Sequence, residues 1–358
     1  MRQKLPDFPW DALAPYGAIA KKHPQGAIDL SVGTPVDPTP EFIQKAFQEA
    51  ANSPSYPVTV GTPELREAIT AWAKKYLGAT GDFGVLPLIG SKEFVAWLPT
   101  FIEAQSVLYP DVAYPTYLVG SLLAEAAATP VSLDASQWPQ ADMAWVNSPS
   151  NPTGRVHSEA EFKAAIDWSR KNKSVVVSDE CYLEFGDSVK PTSILNYTGG
   201  DNTNILAVHS LSKRSSMAGY RAAFIVGDPA LIARILEVRK HAGMMVPLPV
   251  QVAMVAALSD EEHVVQQRAR YNARRATLAP ALRAAGFTIE NSEAGLYIWA
   301  TRNENCWDSV SWLAELGIIA TPGVFYGDLG ASHIRIAMTA TDAQISEAAA
   351  RISSKVGA

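Results

Sequence analysis

A chain of 358 residues, 47% hydrophobic and 18% charged, carries enough apolar material for two domains of ordinary size and is too apolar for extended disorder. Its formal charge of −6 comes from dispersed acidic and basic residues without a basic stripe, which argues against nucleic-acid or anionic-membrane partners and for small-molecule work. Two distant cysteines, six histidines without ligand spacing, and no apolar run of signal or membrane length point to an unprocessed cytoplasmic protein with neither a disulfide framework nor a metal centre.

Residues 1–40 are punctuated by proline and turn signals, among them Asp37-Pro-Thr-Pro40, and read as an extended arm. Helical patterns follow over residues 41–50 and 63–73, the second with Thr62 as its cap and Pro63 in its first turn. Apolar runs of strand length at 85–89, 106–109, 143–146, 174–178 and 205–208 then alternate with amphipathic helices, a rhythm that predicts a mostly parallel sheet with helices on its faces. Residues 221–227 are a candidate added strand, antiparallel to the others. Beyond residue 247 the pattern changes to a long charged helix at 260–284 and short strands around 296–300 and 333–337. The expected division is therefore an arm (1–40) that packs with the small unit, a large unit (41–246) and a smaller α/β unit (247–358).

Several segments set polar chemistry at the ends of these runs, where open α/β sheets gather ligands. Ile89-Gly-Ser-Lys-Glu93 ends a strand and opens a helix, so its free amides and the helix dipole would face an anion. Tyr114-Pro-Thr-Tyr117 adds aromatic rings, and Asn151-Pro-Thr-Gly154 follows a buried-looking strand. Val175-Val-Val-Ser-Asp-Glu-Cys-Tyr182 runs an apolar strand into a carboxylate, which is costly unless a cation answers it. Ser210-Leu-Ser-Lys-Arg-Ser-Ser-Met-Ala-Gly-Tyr-Arg221 sets a lysine just past a strand, between a hydroxyl and a later arginine. Leu30-Ser-Val-Gly-Thr-Pro35, Ser55-Tyr-Pro57 and His333-Ile-Arg-Ile-Ala337 complete the set.

In this order the segments resemble the class I/II aminotransferases, which use pyridoxal 5′-phosphate. The resemblance implies fold type I: a large domain with a mostly parallel seven-stranded sheet between helices, and a smaller α/β C-terminal domain. It implies that Lys213 forms a Schiff base with the cofactor aldehyde, while Ser210, Arg221, Ser91 and Lys92 hold the phosphate. Tyr117 would stack on the pyridine ring, Asp179 would face the ring nitrogen, and Asn151 and Tyr182 would bond the phenolic oxygen. Arg335 would clamp the substrate α-carboxylate with Asn151 nearby, and Gly33 would close over the substrate. Tyr56 would reach the phosphate of a neighbouring subunit, making a homodimer with shared active sites. Ala223 departs from the pattern, since a glycine is usual there.

Within the class, the arm Leu5-Pro-Asp-Phe-Pro-Trp-Asp11 and the segment from Asp29 to Pro38 resemble the N-succinyldiaminopimelate aminotransferases of actinobacterial lysine biosynthesis. That implies ping-pong exchange of an amino group between N-succinyl-LL-2,6-diaminopimelate and 2-oxoglutarate. A substrate with carboxylates at both ends needs a second subsite beyond Arg335, and Lys92 and Arg155 lie next to the expected site. The open alternatives are another class I aminotransferase, acting on aspartate, alanine or aromatic amino acids, and a pyridoxal-phosphate β-lyase.

Overall fold

A computed structural model describes residues 5–356, so the first four residues of the expected arm lie outside the described residues. The apolar runs become strands β1 (Gly84–Leu88), β2 (Ser106–Pro110), β3 (Ala127–Val131), β4 (Met143–Asn147), β5 (Val175–Asp179), β6 (Ile205–Ser210) and β7 (Ala223–Gly227). They form one seven-stranded sheet in the order β1-β7-β6-β5-β4-β2-β3. Strand β7 is antiparallel to both its neighbours, and every other pairing is parallel. Ala223, the departure from the glycine pattern, takes an ordinary ladder position between Leu88 and Ser210.

Strands covered on both faces read as continuous apolar runs rather than as an alternation, and β4, β6 and β7 are buried along their whole length. Successive side chains then go to opposite cores. Val176 and Phe224 join Ile69, Trp72, Phe162 and Met254 on one face, whereas Val177 and Ile225 join Phe94, Leu98 and Ile235 on the other. Strand β3 escaped the sequence reading for a physical reason. It lies at the sheet edge, pairs only with β2, is mostly exposed, and contains Pro130, which an edge strand tolerates.

A second, antiparallel sheet has four strands, β8 (Thr288–Glu290), β9 (Tyr297–Thr301), β10 (Thr321–Pro322) and β11 (His333–Ala337), in the order β10-β11-β9-β8. The helices Glu262–Ala284 and Asp342–Val356 pack together beside it, and Leu278, Ile298, Ile336 and Ile352 share its core. The N-terminal segment packs on this core, and it is partly helical rather than extended. It makes a 3-10 turn at Pro9–Leu13 and a helix at Ala14–Ala20, and Ile28–Asp29 then pairs in parallel with Ile318–Ile319. Its prolines misled the reading, because Pro9 and Pro15 occupy first turns, where a missing N–H is harmless. Asp37 closes the segment by accepting from Arg274 at 2.7 and 2.8 Å and from Gln267 at 2.8 Å, which ties it to the long helix.

The helix Ser91–Phe101, which leaves β1, is anchored at its first turn. Arg239, on the helix Pro229–Ala242, is fully buried and donates to both Glu93 carboxylate oxygens at 2.9 and 3.1 Å. Removing one partner of such a pair leaves the other charge buried alone. Arg239→Met is expected to lower stability by about 3–5 kcal/mol in urea unfolding, and Glu93→Gln added to it should restore part of that loss.

Candidate active site

All strands of the large sheet except β7 point the same way, so their C-terminal ends gather along one edge. Register sets the neighbours: Asn147 lies opposite Asp179, and Ala223 lies opposite both Leu88 and Ser210. A cavity of about 740 Å³ opens over this edge, and Arg335 on β11, the loop Val32 to Thr34 and the stretch Leu5 to Trp10 also line it. It brings together every site residue expected from the sequence except Tyr56, which is 92% exposed and lies outside it.

One end of the cavity is cationic. Gly90, at φ 88°, turns the chain from β1 into the helix Ser91–Phe101, whose first amides have no partner within the helix. Arg221 lies against this turn, and a Cβ at Gly90 would sit 2.1 Å from its Nη2. Arg221 itself holds a left-handed backbone at φ 56°, a conformation with a cost for any residue but glycine. Its Nη1 donates to the Ala218 carbonyl at 2.8 Å, and among the described residues no carboxylate lies within ion-pair distance. The Ser210 hydroxyl accepts from the Ser212 amide at 3.2 Å, and the Lys92 ammonium lies 5.6 Å from the ring of Phe8.

Asp179, at the end of β5, supplies the opposite charge. It accepts from the Tyr117 hydroxyl at 2.8 Å and the Cys181 amide at 3.2 Å, and no cation lies within ion-pair distance among the described residues. Burial raises its carboxyl above the ordinary carboxylate value despite those two bonds. The bond from Tyr117 corrects the sequence expectation for that residue. Its ring is wholly buried and already stacked on Trp145, with centroids 5.0 Å apart, so Tyr117 orients the carboxylate rather than offering a face to a ligand. Tyr114, three residues earlier, lines the cavity with a partly exposed ring.

Lys213 projects from the one-turn helix Leu211–Arg214, with no hydrogen bond or ion pair among the described residues. Burial pulls its ammonium down to about 8. From the second sheet, Arg335 is 2% exposed, donates from Nη1 to the Asn151 side-chain oxygen at 2.9 Å and from Nη2 to the Ser31 carbonyl, and its Nε has no partner among the described residues. Its guanidinium lies 4.0 Å from the ring centre of Tyr297, whose hydroxyl meets that of Tyr182 at 3.1 Å. Gly33 packs on the same ring, since a Cβ there would lie 2.1 Å from the Tyr297 hydroxyl. Arg155, expected next to the site, instead pairs with Glu161 at 2.6 Å and does not line the cavity.

The sequence pattern of aminotransferase class I and II matches residues 25–352. The chain belongs to this family. A 4-dedimethylamino-4-oxo-anhydrotetracycline transaminase of Streptomyces rimosus is 50% identical, over 98% of this chain and 99% of that protein. A probable aminotransferase of Mycobacterium tuberculosis is 51% identical, over 97% and 85% respectively. Among solved structures, a probable N-succinyldiaminopimelate aminotransferase from Thermus thermophilus superposes with a TM-score of 0.87 at 26% identity, covering 97% of this chain and 100% of that one.

The large mixed sheet flanked by helices is the fold type I arrangement of these enzymes, and the class depends on pyridoxal phosphate. The cavity fits that cofactor in charge: free amides and unpaired cations suit a phosphate, the unpaired Asp179 suits a pyridine nitrogen, and the buried Lys213 amine suits an aldehyde. Among the described residues, no group of three or more His, Cys, Asp or Glu could hold a metal ion, and no helix is long and apolar enough to cross a membrane.

The lysine makes a stability prediction. Its folded value of about 8 lies below the ordinary 10.5, so burying the charged amine destabilises the apoprotein below pH 8. That penalty fades as pH rises from 8 towards 10.5, where the folded state has lost the proton and the unfolded chain still holds it. Lys213→Met apoprotein should exceed wild type in stability at pH 7 by on the order of 3 kcal/mol, with the gap narrowing by pH 10, as read by urea unfolding at both pH values.

Proposed function

We propose that the protein exchanges an amino group between N-succinyl-LL-2,6-diaminopimelate and 2-oxoglutarate, in lysine and diaminopimelate biosynthesis. The observation that carries this reading is a pair of cations in one cavity, Arg335 and Lys92, with no carboxylate partner among the described residues. Arg335 suits the α-carboxylate, since its buried Nε has no hydrogen-bond partner among the described residues and a guanidinium matches a planar anion. Lys92 suits a carboxylate at the far end of the substrate, which both proposed partners carry. The name of the Thermus thermophilus structural relative supports the same choice.

Pyridoxal phosphate, when bound, supplies the electron sink that stabilises negative charge at the substrate α-carbon. Lys213 is assigned the proton transfer at that carbon, a task suited by an amine titrating near 8. Asp179, held by Tyr117, is assigned the ring nitrogen and keeps it protonated. Asn151 and Tyr182 are assigned the phenolic oxygen, and Ser91, the Lys92 amide, Ser210 and Arg221 the phosphate. Tyr114 takes the ring-stacking role first expected of Tyr117, and Gly33 keeps the loop over the substrate close to Tyr297. Tyr56 is assigned to the site of a second copy in a homodimer.

A second reading has its own support. Phe8, Trp10, Val32, Val95 and Val119 give the cavity an apolar wall, and the name of the Streptomyces rimosus relative points to a fused-ring ketone.

A half-reaction screen decides between them. Donors are added singly to the holoenzyme and the cofactor absorbance is followed. Rapid conversion by N-succinyl-LL-diaminopimelate and by glutamate is expected; conversion by fused-ring or unrelated amines alone would sink the substrate while leaving the class intact. Lys213→Ala should retain cofactor non-covalently and lose turnover. Lys92→Met should raise KM for 2-oxoglutarate about tenfold while changing that for pyruvate little, and Arg335→Lys should lower kcat/KM for both by about 10²-fold.

A further inference from the structure

The helix that carries Lys213 spans only Leu211–Arg214. One turn fixes several residues for a single backbone bond and does not hold itself in place. Leu211 is buried in the core and donates to the Ala222 carbonyl at 3.0 Å, and the two residues after the lysine add side-chain ties. Arg214 is 2% exposed and divides its donors in three directions: Nε to Glu184, Nη1 to the Ala257 carbonyl at 2.7 Å and the Ser215 hydroxyl at 3.2 Å, and Nη2 to Glu261. Its guanidinium also lies 5.6 Å from the ring of Trp72. Ala257 and Glu261 flank the junction between the helices Leu248–Ser259 and Glu262–Ala284, so Arg214 ties the lysine segment to that junction.

Ser215 makes a second tie to the same place. Its Oγ lies 2.8 Å from His263 Nε2, and His263 Nδ1 lies 2.6 Å from Asp260 Oδ1. With Nδ1–H given to Asp260, Nε2 accepts the Ser215 proton and the Ser215 oxygen accepts from Arg214, so every donor meets an acceptor when His263 is neutral. Burial favours that form by lowering the histidine below its ordinary value, against the pull of Asp260 and with help from the Arg214 charge. The order Ser–His–Asp is that of a hydrolytic relay. Here the serine is 1% exposed and its oxygen already receives an N–H, so the three groups hold the chain rather than attack a substrate.

Neither Arg214 nor His263 lines the cavity that Lys213 enters. We propose that Arg214 and His263 are positioning residues for Lys213, fixing its one-turn helix against the 257–263 junction so that the amine stays in reach of its target. The proposal rests on the assignment of Lys213 as the residue that bonds the cofactor, and the test separates the two.

Borohydride reduction of the wild-type holoenzyme, followed by peptide mass spectrometry, first locates the bound cofactor. A label on another residue would overturn the assignment of Lys213 itself. With the label on Lys213, apoproteins of Arg214→Lys, Ser215→Ala and His263→Ala are mixed with pyridoxal phosphate, and the rate of covalent capture is followed by absorbance without any amino donor. Capture and kcat are expected to fall about 10- to 100-fold, most for Arg214→Lys, because a compact ammonium cannot span the separated acceptors that the three guanidinium nitrogens reach. KM for glutamate should stay within about twofold, since no substrate contact is altered. Melting temperatures identify the variants that remain folded, and if Arg214→Lys does not fold, the decision falls to the serine and histidine variants. Folded variants with wild-type capture and kcat, or with the loss confined to KM, would overturn the positioning role.

Discussion

Asp179 is a carboxylate at the end of a strand buried on both faces, and the placement of the other site groups follows from how that charge is held. Its bonds come from the Tyr117 hydroxyl and from Cys181, none of them a cation, so its burial keeps a demand for positive charge at the cavity. The parallel register then decides which groups can answer. Asn147 beside it bonds the Asp179 carbonyl at 2.9 Å and receives the Asn151 amide at 2.7 Å, which brings the Asn151 side chain to Arg335. A single row of strand ends thus connects the carboxylate to Arg335 on the other sheet.

Sequence carried most of the large sheet and most of the cavity, because both are local in origin. Apolar runs buried on two faces announce themselves, and a polar residue directly after such a run is already positioned by the strand. What escaped depends on tertiary neighbours. Strand β3 is short, exposed and interrupted by proline, so no run marked it. The prolines of the N-terminal stretch read as breakers, yet two of them start helical turns that pack on the second core. Tyr114 and Tyr117 are both aromatic at one strand end, and only the buried Trp145 beneath Tyr117 tells which ring remains free. Nothing in the sequence marked Arg214, since its partners Glu184, Ala257 and Glu261 lie 30 to 47 residues away.

Substrate choice turns on two features of the cavity that pull in different directions. Its wall near Phe8 and Trp10 is apolar and would shelter a fused ring, whereas its unpaired cations call for carboxylates. Magnitudes separate them. An apolar wall accepts many chains of suitable size and discriminates weakly, about 10–200-fold per methylene, while a buried guanidinium left without its anion penalises the wrong substrate far more. The buried Arg335 therefore carries more of the specificity argument than the wall, and the exposed Lys92 is the residue on which the two readings diverge. Its ammonium rests over the Phe8 ring, an arrangement that keeps the charge paired with a π face until a stronger acceptor arrives.

The same buried charges relate stability to affinity. Lys213 and Asp179 each lower the stability of the protein alone, because neither is matched by an ion of opposite sign at contact distance among the described residues. A ligand that carries the missing charges binds the folded state only, and its binding free energy adds to folding by linkage. Fixed, desolvated groups of this kind also need no rearrangement at the moment of reaction, which is where preorganised charge is most effective. Such a site must be rigid to be useful. The tie from Arg214 and Ser215 to the 257–263 junction supplies rigidity where the fold supplies least, at a single helical turn bearing a buried amine.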